Sequence, residues 1–194
     1  NVITGAASDN RTNVSNVTVA IIRLANTTYW NGSTFQGTPL YLGATGTEPT
    51  WTIGGGSLTS DNQYRIVSQA TDGATNVQTV TEGTTFTFDT NPPSSAVTVP
   101  TNNHEYASQP ILSGTASDAV GVVSVRVSVR DDFSEGYWSG SAYDIGSEAA
   151  SFVPLNTATG TTSWQFQAPP LTTGLKYVIK TKAYDLAGLS ESTP

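Results

Sequence analysis

The feature that most constrains this chain of 194 residues is an internal duplication. Five blocks of sequence recur in the same order in the two halves, with one small change of spacing among them. The matched blocks are Ile3–Asp9 with Leu112–Asp118, Val17–Ile21 with Val125–Val129, Tyr29–Ser33 with Tyr137–Ser141, Trp51 and Leu58 with Trp164 and Leu171, and Tyr64–Asp72 with Tyr177–Asp185. Two copies of one module, each of about a hundred residues, predict two small domains.

The junction between the copies lies at a pair of prolines. A strand-like run ends at Asp89, and Pro92 and Pro93 then stiffen the connection and offer no N–H donors to a sheet. We therefore place the first domain at residues 1–91 and the second at residues 92–194.

Each copy lacks one strand that the other has. The second copy has a predicted strand at Val97–Val99 before its Leu112–Asp118 block, and the first copy has no counterpart of that strand. The first copy closes with Thr84–Phe88, and the second stops before an equivalent. We expect the chain to be an excerpt of a longer array. The alternative is that other copies of the chain donate the missing strands and so build a polymer.

Both copies have the alternation of β-strands. In Val125–Arg130 the odd-numbered residues are apolar and the even-numbered ones polar, which predicts one buried and one solvent-exposed face. Tyr29–Phe35 indicates a hairpin in which Asn31 and Gly32 supply the positive φ angles of a tight turn. No stretch has a helical period. About seven or eight short strands per copy predict an all-β fold of two tandem Ig-like Greek-key β-sandwiches arranged end to end.

Two further spacings favour this fold. Leu58 precedes Tyr64, and Leu171 precedes Tyr177, by the same short interval across a predicted tight turn. This pattern is typical of a tyrosine corner, in which the tyrosine hydroxyl bonds to backbone. Because the chain has no cysteine, we expect Trp51 and Trp164, as the matching tryptophans of the two copies, to fill the cores.

The repeated motifs resemble the bacterial Ig-like repeats of large secreted and cell-surface proteins. The resemblance rests on Gly-Thr-Ala-Ser-Asp at 114–118, Val-x-Val-x-Val at 125–129, Tyr-Trp-x-Gly at 137–140 and Phe-x-Phe-Asp-Thr-x-Pro-Pro at 86–93, and it covers both copies. It implies the fold, the tandem arrangement and an extracellular location. It implies no single function, because such repeats serve as stalks, spacers, adhesin segments and accessory modules.

Aspartates placed at strand ends predict a calcium site. In an Ig-like sandwich the loops after Asp118 and Asp185 lie at the end that receives the preceding domain, and Asp89 and Asn91 precede that domain boundary. Oxygen ligands of this kind suit Ca²⁺, which would stiffen the joint. By the duplication, the equivalent half-site, facing an upstream domain, would consist of Asp9 and Asp72. The alternative is that each aspartate caps its own loop through backbone amides.

Two surface features allow other interpretations. Trp30 and Trp138 flank predicted hairpin turns, and exposed aromatic rings there would bind a glycan. Asn-x-Ser/Thr triplets occur only in the first copy and would carry sugars in a glycosylating secretory route, or arise freely in a Ser/Thr/Asn-rich bacterial sequence. These triplets begin at Asn10, Asn13, Asn16, Asn26 and Asn31.

The composition argues against several classes of function. The formal net charge of −7 disfavours binding to nucleic acid and to anionic membranes. No apolar run approaches the ~20 residues of a membrane span. Without cysteine and with His104 as the single histidine, thiolate nucleophiles, cysteine-ligated metals and duplicated histidine sites are excluded. No paired-carboxylate motif or phosphate-binding glycine loop is present.

These observations predict a non-enzymatic spacer segment of a large extracellular bacterial surface or filament protein. Its expected partners are neighbouring repeats or other copies of the chain, with a cell-surface or glycan ligand as a further candidate. The alternatives are an accessory module of a secreted hydrolase, which binds or spaces polysaccharide, and a strand-donating subunit of an extracellular polymer.

Overall fold

A computed structural model describes residues 2–80 and 82–192. The strands are β1 (Val2–Ala6), β2 (Val14–Arg23), β3 (Thr28–Trp30), β4 (Phe35–Gln36), β5 (Leu42–Gly43), β6 (Thr50–Gly54), β7 (Asn62–Asp72), β8 (Thr84–Phe88), β9 (Ser94–Val99), β10 (Ile111–Ser117), β11 (Val122–Asp131), β12 (Tyr137–Trp138), β13 (Tyr143–Ile145), β14 (Ser163–Gln167) and β15 (Tyr177–Asp185). The helices are α1 (Glu148–Ser151) and a 3-10 turn at Pro154–Asn156. Among these residues, no helix has the length and apolar character needed to cross a membrane. The chain divides into two units, Asn1–Asp89 and Thr90–Pro194.

The first unit packs a two-stranded sheet against a six-stranded sheet. β1 pairs antiparallel with β6, and β2 pairs antiparallel with β7 in the larger sheet. Apolar side chains from both sheets form the core between them. Its buried members are Val14, Val17, Val19, Ile21, Trp30, Trp51 and Tyr64. A core shared by two facing antiparallel sheets makes this unit a β-sandwich.

The second unit repeats this arrangement with a three-stranded sheet, ordered β14-β10-β9, and a four-stranded sheet, ordered β13-β12-β11-β15. The consecutive strands β10 and β11 lie in different sheets, and β14 returns to pair with β10, as in Greek-key sandwiches. Its buried core is formed by Leu112, Ala116, Val125, Val127, Val129, Ala158, Trp164, Ala168 and Ala183. The prediction of all-β, Ig-like sandwich domains is confirmed.

The duplicated tryptophans make the same contact in both units. The indole N–H of Trp51 donates to the carbonyl of Ala6 at 3.3 Å, and that of Trp164 donates to the carbonyl of Thr115 at 3.2 Å. Trp51 and Trp164 are 4% and 1% exposed. The expectation that they fill the cores is correct.

Both tyrosine corners form as predicted. The Tyr64 hydroxyl accepts a hydrogen bond from the Thr59 N–H at 2.8 Å and donates to the Thr59 carbonyl at 3.2 Å. The Tyr177 hydroxyl accepts from the Thr172 N–H at 2.8 Å. Tyr64 is completely buried, whereas Tyr177 is partly exposed.

We expect Tyr64→Phe to lower the free energy of unfolding of the first unit by about 1 kcal/mol, because a hydrogen bond at the corner is lost. Tyr177→Phe should cost the second unit less, since water reaches its corner more easily. Urea titrations followed by NMR signals assigned to each unit measure both values. A larger loss in the second unit would contradict this explanation.

Two local expectations need correction. In the hairpin joining β3 and β4, Gly32 has a positive φ of 99°, but Asn31 does not. The Asn31 side chain shapes the turn instead, because its carbonyl oxygen accepts from the N–H groups of Ser33 and Thr34 at 2.9 and 2.8 Å.

The second correction concerns the outer face of β11, which the alternation predicts to be solvent-exposed. Ser128 on this face is only 1% exposed, because the segment containing α1 covers it. The Ser151 hydroxyl donates to the Ser128 hydroxyl at 2.6 Å, and the Asn156 side chain donates to the carbonyls of Ser151 and Trp138. The segment from α1 to Asn156 thus buries a serine that the alternation of β11 assigns to water.

Candidate functional site

The candidate site in the second unit begins with Asp118, one residue beyond β10. One of its carboxylate oxygens accepts hydrogen bonds from the N–H groups of Val120 and Gly121 at 2.8 and 2.9 Å. These bonds form a local turn that leads into β11 and hold the aspartate side chain in one orientation.

Asp185 is the last residue of β15 and is 2% exposed. Its Oδ1 accepts from the Leu189 N–H at 2.8 Å. The Leu186 N–H donates to the Gly121 carbonyl at 3.2 Å, and this bond ties the loop after Asp185 to the turn of Asp118. Within the described part of the chain, the buried Oδ2 of Asp185 has no hydrogen-bond partner.

The two aspartates thus converge within one unit. An Asp118 carboxylate oxygen and an Asp185 carboxylate oxygen lie within 4.8 Å of each other. Two close anions, one of them with a buried and unsatisfied oxygen, are unfavourable unless a cation or a proton joins them. Carboxylate oxygens at this separation fit a hard divalent cation such as Ca²⁺.

Asp89 and Asn91 lie just before β9 in the chain. Asp89 is partly buried, and its Oδ1 accepts from the Ser60 hydroxyl at 3.1 Å within the first unit. Asn91 is exposed and lies three residues before Ser94, which pairs with Ser117, the neighbour of Asp118. Their participation in a cation site stays a prediction.

Asp9 and Asp72, the counterparts in the first unit, are bonded within their own loops. Asp9 Oδ1 accepts from the N–H groups of Arg11 and Thr12. Asp72 Oδ1 accepts from two backbone N–H groups, and its Oδ2 accepts from the Asn76 side chain at 2.8 Å. The Thr12 N–H lowers the pKa of Asp9, and the Asn76 side chain lowers the pKa of Asp72. Both oxygens of Asp72 are satisfied, whereas Oδ2 of Asp185 is not. The predicted upstream half-site stays a prediction.

The tryptophans offered for glycan binding lie in or against the cores. Trp30 is 6% exposed and packs against Phe35, so the interpretation of it as an exposed ring is wrong. Trp138 is partly exposed but packs on Tyr143 beside the second core. The glycan ligand stays a prediction, now without Trp30 as an exposed ring.

Comparison with solved structures gives a likeness in overall fold. The chain is similar to a solved structure described as fibronectin(III)-like modules of CbhA from Clostridium thermocellum, at 15% identity and a TM-score of 0.37, over 100% of this chain and 82% of that chain. No protein-family model and no curated protein matches the sequence. The strand order and the two separate cores identify the Ig-like β-sandwiches.

Proposed function

We propose that this chain is a non-enzymatic spacer: two tandem β-sandwich modules within a large extracellular bacterial surface or filament protein. The observation that supports the proposal is the duplication itself. Each unit has two sheets and its own buried core, and each repeats the same tryptophan and tyrosine contacts. A module that buries its own core can be repeated to extend a chain by a fixed increment.

Small-angle scattering of head-to-tail concatemers tests the spacer function. We expect the maximum dimension to nearly double when a second copy of the chain is added, and to rise by the same step with a third. A single compact body would grow only about 1.3-fold on doubling, from the size scaling of globular proteins. Growth close to that compact value would contradict the proposal. Labelling of intact producing cells with an antibody to the chain tests the extracellular location separately.

We further propose that Ca²⁺ binds at Asp118 and Asp185, with Asp89 and Asn91 as the remaining side-chain ligands, and that it limits bending at the junction. The support is the buried unsatisfied Oδ2 of Asp185 beside a second carboxylate. Ca²⁺ takes six to eight oxygen ligands, so backbone carbonyls or water must complete the set.

The effect of Asp185→Asn on the stability of the second unit should change sign when Ca²⁺ is added. Without Ca²⁺ we expect equal or higher stability of the second unit, because the variant removes a buried charge and the new amide oxygen can still accept from Leu189. Ca²⁺ at a hundred times its dissociation constant should stabilise the unmodified chain by about 2.7 kcal/mol and the variant by far less. Calorimetry and thermal melts measure both effects.

Asp72→Asn is the matched control for this experiment, since Asp72 ends the equivalent strand with both of its oxygens bonded in the loop. It should leave calcium binding in the second unit unchanged. An unmodified chain that gives no binding heat and no shift in melting temperature at millimolar Ca²⁺ would rule out the calcium proposal.

A further inference from the structure

The lysine and arginine residues of the second unit are concentrated on one sheet. They lie on β11 and β15 or directly before β15, and they are Arg126, Arg130, Lys176, Lys180 and Lys182. Because Val125, Val127 and Val129 of β11 enter the core, the residues that alternate with them lie on the outer face of the sheet. A chain with a formal net charge of −7 thus has a local concentration of positive charge.

Two of these cations lie directly opposite each other. Arg126 of β11 pairs with Lys182 of β15 in the antiparallel register. Paired residues of neighbouring strands point to the same face, and their Cβ atoms are about 5 Å apart. Like charges in this arrangement repel each other, so the pair lowers stability unless an anion lies beside it.

The other cations on these two strands already have anionic partners. Arg130 forms ion pairs with two neighbouring carboxylates, at 3.1 and 3.4 Å, and Lys180 forms one with Glu148 at 2.9 Å. In the described part of the chain, neither Arg126 nor Lys182 forms an ion pair. The uncompensated positive charge of the two strands therefore lies at this cross-strand pair.

The Arg126 guanidinium is held in one orientation. Its Nη1 donates to the Phe152 carbonyl at 2.9 Å, and its central carbon lies over the Tyr184 ring, 4.5 Å from the ring centre. The carbonyl and the ring have no net charge, so they orient the cation without neutralising it. A side chain that is fixed in advance loses little conformational entropy when an anion binds.

Hydroxyl groups surround the two cations on the same face. Thr157 pairs with Arg126 on the side away from β15. Ser124 and Ser190 pair with Tyr184 from its two sides. These hydroxyl residues are all exposed or partly exposed. The cationic patch thus consists of Ser124, Arg126, Thr157, Lys182, Tyr184 and Ser190.

The first unit has uncharged residues at the equivalent positions. Thr18 and Gln69 correspond to Arg126 and Lys182 by the duplication, and they pair with each other in the same register. The same sandwich framework therefore forms with neutral side chains at these two positions. The cations of the second unit are not needed to build the fold, which leaves recognition of a ligand as their role.

We infer that the cationic patch binds a carboxylated polysaccharide, such as one built from uronic acids. Its carboxylates accept hydrogen bonds from Arg126 and Lys182 and relieve their mutual repulsion, and its hydroxyls bond to those of the patch. The patch offers two uncompensated cations on an acidic chain. A polymer with one carboxylate per sugar fits this charge better than the dense phosphates of nucleic acid or an anionic membrane surface.

Titration of the full chain with a galacturonic acid hexamer, followed by NMR, tests the inference. EDTA is present throughout, so that calcium takes no part. We expect saturable shifts at Arg126, Lys182 and Tyr184, and none with the methyl-esterified hexamer, which has the same sugars without the charge. Affinity should fall by about fivefold or more between about 0.05 and about 0.5 M NaCl, because salt screens exposed charges.

Lys182→Gln should weaken binding of the hexamer by about fivefold or more, because a charge-assisted hydrogen bond is lost. Its stability should equal or exceed that of the unmodified chain, since the repulsion from Arg126 is removed. Lys176→Gln is the matched control. It removes the same charge from an exposed position roughly 20 Å along the strand, beyond the screening length of about 10 Å, and should change the affinity by less than about twofold.

Four results would overturn the inference. The first is the absence of shifts in the patch at millimolar hexamer. The second is equal weakening by Lys176→Gln and Lys182→Gln, which would indicate a response to net charge alone. The third is equal binding of the methyl-esterified hexamer. The fourth is equal or tighter binding of hexaglutamate or a short polyphosphate, which would make the partner an acidic protein or a phosphate polymer.

Binding at the cationic patch does not depend on the spacer function. Failure of the patch leaves the dimensions of the concatemers unchanged, whereas compact concatemers leave the hexamer titration unchanged. The two proposals therefore fail separately.

Discussion

Trp164→Ala is expected to unfold the second unit while the first unit stays folded. Trp164 is 1% exposed, lies over Gly114 and donates its indole N–H to Thr115. Truncating a buried tryptophan costs about 3–5 kcal/mol through lost burial and a residual cavity. Domains of this size have about 5–15 kcal/mol of stability, and small ones lie near the lower end, so most of the second unit's stability is lost.

Urea unfolding followed by NMR signals of each unit measures this effect. Trp138→Ala is the matched control: its ring is partly exposed at the edge of the same core, so we expect a clearly smaller loss. Trp51→Ala should unfold the first unit and leave the second unit folded. Loss of both units in one transition after the Trp164→Ala change would contradict independent modules and would weaken the proposed spacer function.

Gly114→Ala is expected to detach β9 from the second unit. A Cβ atom at Gly114 would overlap the carbonyl oxygen of Ala96 in β9 and the ring of Trp164. Neither neighbour can move without losing strand pairing or core packing, so we expect a loss of about 3 kcal/mol, at the upper end of overpacking effects. The variant should also speed the hydrogen exchange of β9 amides.

Gly146→Ala provides the control for this prediction, because an added Cβ there meets no atom within 4 Å. Its effect on stability should stay within about 0.5 kcal/mol. If β9 detaches, β10 keeps β14 as its only neighbour in the three-stranded sheet. Normal exchange protection of β9 in the Gly114→Ala variant would show that the clash is relieved elsewhere.

The candidate cation site was accessible to sequence reasoning only in part. The duplication aligns Asp118 with Asp9 and Asp185 with Asp72, and the sandwich topology brings Asp118 and Asp185 to neighbouring loops. The sequence does not distinguish the pairs, since all four residues are aspartates after strands. The difference arises from Asn76, whose side chain satisfies Asp72, and from the burial of the second Asp185 oxygen.

The amino-acid sequence by itself determined the duplication, the β-sandwich class, the buried tryptophans and the tyrosine corners. These features follow from local periodicity and from residue spacings that recur in both copies. Such short-range patterns can be identified in the amino-acid sequence alone. Only the tertiary structure decided that Ser128 is buried, that Trp30 is in the core and that Oδ2 of Asp185 has no hydrogen-bond partner among the described residues. Burial and hydrogen-bond satisfaction depend on which distant segment covers a given face, and a strand's own alternation contains no information about that neighbour.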